Sequence, residues 1–347
     1  MQPHDMVGPM MAGWKQAIKR TALGALRSTG AYSLAANSTN RRRKLLILCY
    51  HGLSLRDEHE WAGYLFMTAD RFRERLACLR NLKAHVLPLG EAVNRLQAGS
   101  LPARSVALTF DDGFYDFLLH GVPILSEFAF PCTLYLTTYY SGLKFPVVNL
   151  IIDYLLWKSG LEWIDFPDQG IVKPMPMRNW AERLEVGRVL LEWCESAGFD
   201  TRAKDEFARQ IAQRFGIDYD DILRSRIAQI LTPEEAAAAA GAGVDIQLHT
   251  HRHRTPRNRE LFLREITDNR RRIREITGKS PVHFCYPSGV YAADFLPWLR
   301  DCGVQTATTC ESGFALADSE PLLLPRVLDD SNMDPVQFEG IVSGLLA

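Results

Sequence analysis

Ala107-Leu108-Thr109-Phe110-Asp111-Asp112-Gly113-Phe114 sets two adjacent carboxylates directly behind an apolar run. The run Val106–Phe110 reads as a strand, and Asp-Asp-Gly behind it as a turn. Two like charges side by side at a strand end repel, so retaining both requires a counter-charge, hydrogen bonds, or a metal that takes one as ligand and leaves the other as a base. A plain turn is the alternative, and residues far from this stretch decide between them.

Working outward, short apolar runs alternate with amphipathic segments from Leu45 onward, as βα units do. Strands are expected at Leu45–Tyr50, Val106–Phe110, Thr133–Thr137, Val244–Leu248, Val282–Cys285 and Thr306–Thr309. Helices are expected at Ala69–Lys83, Leu118–Phe128, Pro233–Ala240, Arg259–Thr277, Ala292–Cys302 and Pro335–Leu345. Such alternation implies parallel strands with helices outside, a sheet that can close into a barrel whose chemistry sits at the C-terminal strand ends. His51, Asp111, Asp112, His249 and Pro287 all fall just behind expected strands. Residues 141–231 differ, with helical patterns at Val147–Lys158, Trp180–Ala197 and Asp205–Phe215, and read as a helical insertion in a domain spanning 45–347.

The 347 residues, 47% of them hydrophobic and 23% charged, suffice for a core of barrel size, and the net charge of -1 gives no global argument for nucleic acid. The seven cysteines are scattered without CxxC spacing and read as buried thiols of a reducing compartment. No run approaches the roughly 18 apolar residues of a membrane span, and no compact signal-peptide core is seen, so a cytoplasmic protein is expected. Residues 1–44 form a basic extension in which Trp14, Ile18, Ala22 and Leu26 share one helical face, suited to docking on the protein's own body or to contact with a membrane surface.

The second informative stretch is Gln247-Leu248-His249-Thr250-His251-Arg252-His253, with three of the nine histidines within five residues behind an apolar run. Histidine is the commonest metal ligand, and imidazoles four residues apart share a face where the backbone turns helically, so His249 and His253 can chelate one ion while His251 points elsewhere. One carboxylate and two imidazoles leave coordination positions open, as a catalytic site with bound water needs, and the spare aspartate can serve as general base. The same ligand set also describes non-haem iron oxygenases.

Thr109-Phe110-Asp111-Asp112-Gly113 followed by His249-Thr250-x-x-His253 resembles the paired signature of the polysaccharide deacetylases, the NodB-homology group or carbohydrate esterase family 4. The resemblance runs from about Leu45 to Arg326 and includes Ile47-Leu48-Cys49-Tyr50-His51-Gly52, Leu231-Thr232-Pro233-Glu234-Glu235 and Tyr286-Pro287-Ser288-Gly289. It implies an α/β fold, a distorted (β/α) barrel of about seven strands, with Asp111 as general base and Asp112, His249 and His253 as ligands of a divalent metal, usually Zn2+, with Co2+ or Ni2+ as alternatives. The implied reaction is hydrolysis of an N-acetyl group on an amino sugar, with a backbone N–H stabilising the oxyanion.

Three departures follow. Cys285 stands where many members carry an arginine, and Ser288 where they carry a tyrosine. Arg326, in Leu324-Pro325-Arg326, can supply the missing guanidinium and hold Asp111 ionised. No histidine follows His283, so the usual C-terminal acid is absent, and His51 is the preferred substitute, ahead of His251. Tyr286, Pro287 and Ser288 are expected at the oxyanion and substrate side, Ser288 through its backbone N–H.

Arg254, with Arg252 and Arg257, lies close enough to the metal loop to meet an anionic or lipid-linked glycan. Trp61, Tyr64, Phe114, Tyr139, Tyr140 and Tyr291 lie near strand ends and can stack on sugar rings, with Phe114 and Tyr291 preferred. An O-acetyl esterase, another amide hydrolase and a binding protein with a decayed site are the alternatives. The four intact residues argue against decay, and the βα pattern argues against the β-rich jelly roll usual for oxygenases.

Overall fold

Short continuous apolar runs separated by helices pair in parallel, because a crossover returns the chain to the same end of the sheet and covers it. The computed structural model describes residue 21 and residues 23–346. Its main sheet holds β1 (Leu46–Tyr50), β2 (His85–Val86), β3 (Ser105–Phe110), β4 (Thr133–Leu136), β5 (Asp245–Leu248), β6 (His283–Cys285), β7 (Thr306–Thr308) and β8 (Val327–Leu328). Every pairing is parallel, in the order β7-β6-β5-β4-β3-β1-β8, with β2 beside the start of β3.

The sheet curls until its two edges share one segment. Val327 pairs with Leu48 of β1, and Leu324 bridges in parallel to Thr308 of β7. Arg326 therefore sits in the seam of the barrel. The expected (β/α) barrel is the observed fold, and all six expected strands are present to within one residue at each end. β2 and β8, two residues each, are too short to leave a period in the sequence.

Side chains alternate between two cores, as the pleat requires. Leu46, Leu48 and Tyr50 face the helices, whereas Ile47 joins Ala107, Tyr135, Cys285 and Leu324 in an inner cluster. The helix Leu89–Gln97 adds Leu89, Ala92, Val93 and Leu96 to that cluster and plugs the barrel at the N-terminal strand ends. The opposite end is left for chemistry.

Between β4 and β5 the chain builds helices Val148–Lys158, Trp180–Ser196, Thr201–Arg214 and Tyr219–Ser225, with a small antiparallel pair, Trp163–Ile164 and Met175–Pro176. Ser141 Oγ donates to the Leu231 carbonyl at 2.6 Å, tying the two ends of this excursion together. The helices lean on the loop behind β1: Tyr154 Oη donates to Asp57 at 2.8 Å, Arg56 pairs with Asp221, and Trp61 packs edge-on to Tyr154 and Trp180. At the other end of the chain, Tyr32 donates to the Val336 carbonyl and Arg27 pairs with Glu339 at 2.8 Å. Of the expected amphipathic face, Trp14 and Ile18 through Arg20, together with Ala22, lie outside the described residues, while Leu26 is exposed. Among the described residues no helix is long and apolar enough to cross a membrane.

A buried ion pair fastens the last strand. Arg75 Nε lies 3.1 Å from both oxygens of Asp329, and Arg75 also stacks over Phe338 at 4.5 Å. Burial raises the Asp329 pKa from 3.8 to about 6 against the pull of Arg75, so this group's contribution to stability is present below the unfolded pKa and lost as pH rises through the folded one. Arg75→Leu leaves the carboxylate buried without its cation and is expected to cost about 3–5 kcal/mol. Removing the cation raises the folded pKa further, so urea midpoints should fall more at pH 8 than at pH 5, and equal losses at both would refute the assignment.

Candidate metal and catalytic site

The site is assembled from the C-terminal ends of β1, β3, β5, β6 and β7 and the segment leading into β8. Behind β3 the backbone turns sharply: Asp112 has φ 69° and Gly113 φ 87°. A Cβ on Gly113 would stand 2.4 Å from Leu136 Cδ1, so only glycine fits there. This turn sends the Asp111 and Asp112 carboxylates to different partners.

Asp112 Oδ1 lies 3.2 Å from His249 Nε2 and 3.1 Å from His253 Nε2. His249 Nδ1 sits 3.0 Å from the Cys285 carbonyl, which can only accept, so that nitrogen carries a proton and Nε2 is turned toward Asp112. Lone pairs facing a carboxylate oxygen at this distance call for a cation or a proton between them. The donor set of one carboxylate and two imidazoles, with a hydrogen-bonded outer partner on His249, fits a divalent metal of the zinc type.

The loop carrying the imidazoles is held from behind. His249 N–H donates to Asn269 Oδ1 at 2.9 Å, and Asn269 donates to the Leu136 carbonyl and Thr138 Oγ1. Buried Glu265 accepts from the Arg252 N–H at 2.8 Å and from the Arg252 and Arg254 guanidiniums. Thr250 and His253 both adopt left-handed φ, near 60° and 54°. His251 points away from the ligands and meets Thr138 Oγ1 at 2.9 Å. In the sequence Glu265 reads only as relief for the arginines of 252–274, and Asn269 is passed over; the signal for both is two polar residues on the buried stripe Phe262, Glu265, Ile266, Asn269, Ile273.

Asp111 faces the barrel interior. Arg326 grips it with a two-pronged pair, Nη1 to Oδ1 and Nη2 to Oδ2, both at 2.7 Å, and is itself held by the Thr309 carbonyl and Thr109 Oγ1. Burial pushes the Asp111 pKa up, but the guanidinium overrides it and holds the carboxyl well below the usual range. The Cys285 and Cys49 thiols approach Oδ2 at 3.3 and 3.7 Å. His51 Nε2 lies 3.9 Å from the same oxygen, while its Nδ1 is buried without a partner among the described residues. Burial lowers the His51 pKa, outweighing the two carboxylates.

The other expected site residues divide. Ser288 is exposed, with left-handed φ 54°, on the turn behind β6, and Pro287 is buried at the start of that turn. Tyr286 does not face substrate: pleat alternation turns it outward, where it is fully buried and donates to the Leu322 carbonyl at 3.1 Å. Arg254 keeps an exposed side chain but spends its Nε on Glu265, bracing the loop. Phe114 is also a correction, being buried against Phe66 with ring centroids 5.3 Å apart. Tyr291 is 36% exposed.

A family model described as polysaccharide deacetylase matches residues 204–307, a span containing His249, His253 and Cys285. No curated protein matches the chain. Among solved structures, the Streptococcus pyogenes deacetylase PplD in complex with acetate shares 19% identity with a TM-score of 0.56, covering 85% of this chain and 96% of that one. IcaB from Ammonifex degensii shares 17% with a TM-score of 0.54, covering 88% and 98%. BC0361, a polysaccharide deacetylase from Bacillus cereus, shares 15% with a TM-score of 0.53, covering 86% and 69%. At these identities the structural likeness is one of fold. The family match over residues 204–307 and the shared fold make the chain similar to the polysaccharide deacetylases.

Metal binding here competes with protons. Burial opposes a charge on His253, yet the Asp112 carboxylate wins and raises its pKa, so a cation must displace a proton below that value. Zinc affinity, read by competition with a chromophoric chelator, should weaken from pH 8 to pH 6, by up to about tenfold per unit below the His253 pKa. Affinity independent of pH would remove His253 from the ligand set.

Proposed function

We propose that this protein is a metal-dependent N-deacetylase of an amino-sugar-containing glycan. One observation carries the reading: three ligand atoms, Asp112 Oδ1, His249 Nε2 and His253 Nε2, converge beside a separate carboxylate, Asp111, that a buried arginine keeps ionised. A bound divalent metal supplies Lewis acidity, polarising the acetyl carbonyl and lowering the pKa of water.

The chain's own groups do the rest. Asp111 takes the proton of the attacking water. Its two-pronged pair with Arg326 fixes the carboxylate's orientation and keeps it unprotonated until that moment. The Ser288 backbone N–H, exposed on the β6 turn, is the oxyanion donor. His51, neutral at rest, is the group placed to relay a proton from Asp111 to the departing nitrogen, since its Nε2 faces Oδ2 of the base. Acetate and a free amine result, with the C–N bond broken and the water proton ending on nitrogen. The substrate class is an acetylated polysaccharide or its precursor, and the seven free cysteines favour a reducing compartment, the cytoplasm.

The test is acetate release from N-acetylglucosamine oligomers by zinc-loaded protein, with metal content measured alongside. Asp111→Asn should lower the rate at least about a hundredfold with metal retained, whereas His249→Ala should lose the metal itself. Bound metal with acetate released only from O-acetylated glycans would replace the amidase reading by an esterase one.

A second variant probes the arginine. Arg326→Lys keeps the charge but loses the planar fork, and kcat should fall about a hundredfold while zinc stays bound. Unchanged kcat would show that Asp111 needs no such alignment.

A further inference from the structure

The lip formed by the ends of β6 and β7 carries an exposed pair that the hydrolytic reading does not use. Tyr291 Oη donates to Glu311 Oε1 at 2.6 Å, and both side chains open to solvent. Glu311 has no cationic partner among the described residues, and its only side-chain contact there is this phenol.

The pair is fixed relative to the catalytic groups. The Glu311 carbonyl accepts from the Arg326 N–H at 2.9 Å, so the residue is one backbone bond away from the arginine that grips Asp111. Its own N–H donates to Thr309 Oγ1 at 3.2 Å. Tyr291 rests against Tyr286, with centroids 5.7 Å apart, and the neighbouring Val290 carbonyl accepts from Thr255 of the metal loop at 3.1 Å. Gly289 packs so closely on Cys310 that a Cβ there would lie 2.7 Å from Cys310 Cβ. The lip is thus locked on both sides.

An exposed phenol ring offers a face to the C–H groups of a sugar, and the carboxylate it anchors offers negative charge beside that face. A neutral acetamide gains little from such a carboxylate. A free amino group, protonated near neutral pH, gains a charge-assisted hydrogen bond.

We propose that Tyr291 and Glu311 form a subsite for an already de-N-acetylated, cationic amino-sugar unit neighbouring the unit being processed. The subsite rests on the deacetylase reading for its position along the chain, but its preference for ammonium over acetamide follows from its own chemistry. It makes a partly deacetylated glycan a better ligand than a fully acetylated one.

The experiment is isothermal titration of the zinc-loaded protein with glucosamine tetramer and with N-acetylglucosamine tetramer, for wild type, Glu311→Gln and Tyr291→Ala, at low and high salt. Wild type should prefer the glucosamine tetramer. Glu311→Gln should reduce the ratio of the two dissociation constants by about tenfold, the worth of one charge-assisted hydrogen bond, and high salt should reduce it in wild type but not in Glu311→Gln. Tyr291→Ala should weaken both ligands. A ratio that Glu311→Gln leaves unchanged, or a wild type without preference, overturns the subsite. Acetate release measured in parallel separates the two ideas: ammonium preference without acetate release would sink the deacetylase reading and leave the subsite standing, whereas acetate release without preference would do the reverse.

Discussion

The pairing of Arg326 with Asp111 is the constraint on which the arrangement depends. Two charges with almost no solvent access are stable in a protein interior only if their geometry is close to ideal and their remaining hydrogen-bonding groups are used. Here the fork meets the carboxylate at 2.7 Å on both prongs, and the Thr309 carbonyl and Thr109 hydroxyl take what is left of the guanidinium. The pair joins residues 215 positions apart, so it forms only once the sheet has curled and Leu324–Leu328 has found both edges. Closure of the barrel and pairing of the Asp111 carboxylate are one structural event.

Four of the nine non-glycine residues with left-handed φ among the described residues lie at the same place. Asp112, Thr250, His253 and Ser288 all hold left-handed φ between 54° and 69°, a conformation costing non-glycine residues on the order of 1–3 kcal/mol each. Asp112 and the 249–253 loop are fixed by surrounding bonds. The Asp112 carbonyl accepts from the Thr137 N–H, Thr250 Oγ1 accepts from the Arg254 N–H, and Glu265 holds the loop between the two imidazoles.

Much of this was legible in the sequence, and the reasons are physical. The six main strands announce themselves as buried apolar runs, and Asp111, Asp112, His249 and His253 stand immediately behind two of them, so strand ends and chemistry could be read together. Arg326 was reachable because a buried carboxylate such as Asp111 needs a counter-charge, and the motif resemblance implied an arginine where Cys285 stands. What could not be read was parity and support. Tyr286 was expected at the substrate side, but a three-residue strand carries too little alternation to say which of Cys285 and Tyr286 faces inward. Asn269 and Glu265 act from the helix that directly follows the loop, yet only the fold shows that two buried polar residues on its stripe turn back onto it.

The parity of β6 also explains how the site accommodates Cys285 where the motif resemblance implied an arginine. Cys285 points inward, beside Arg326 Nη2 at 3.1 Å and Asp111 Oδ2 at 3.3 Å, in space too crowded for a second guanidinium. Its carbonyl meanwhile fixes the His249 tautomer. Burial keeps the thiol protonated by raising its pKa, so it donates to the carboxylate and adds no charge of its own. A charged or bulkier residue at 285 would compete with Arg326 for Asp111. One arginine from the seam and a small neutral donor from β6 therefore form a matched set, and neither position can be changed without reference to the other.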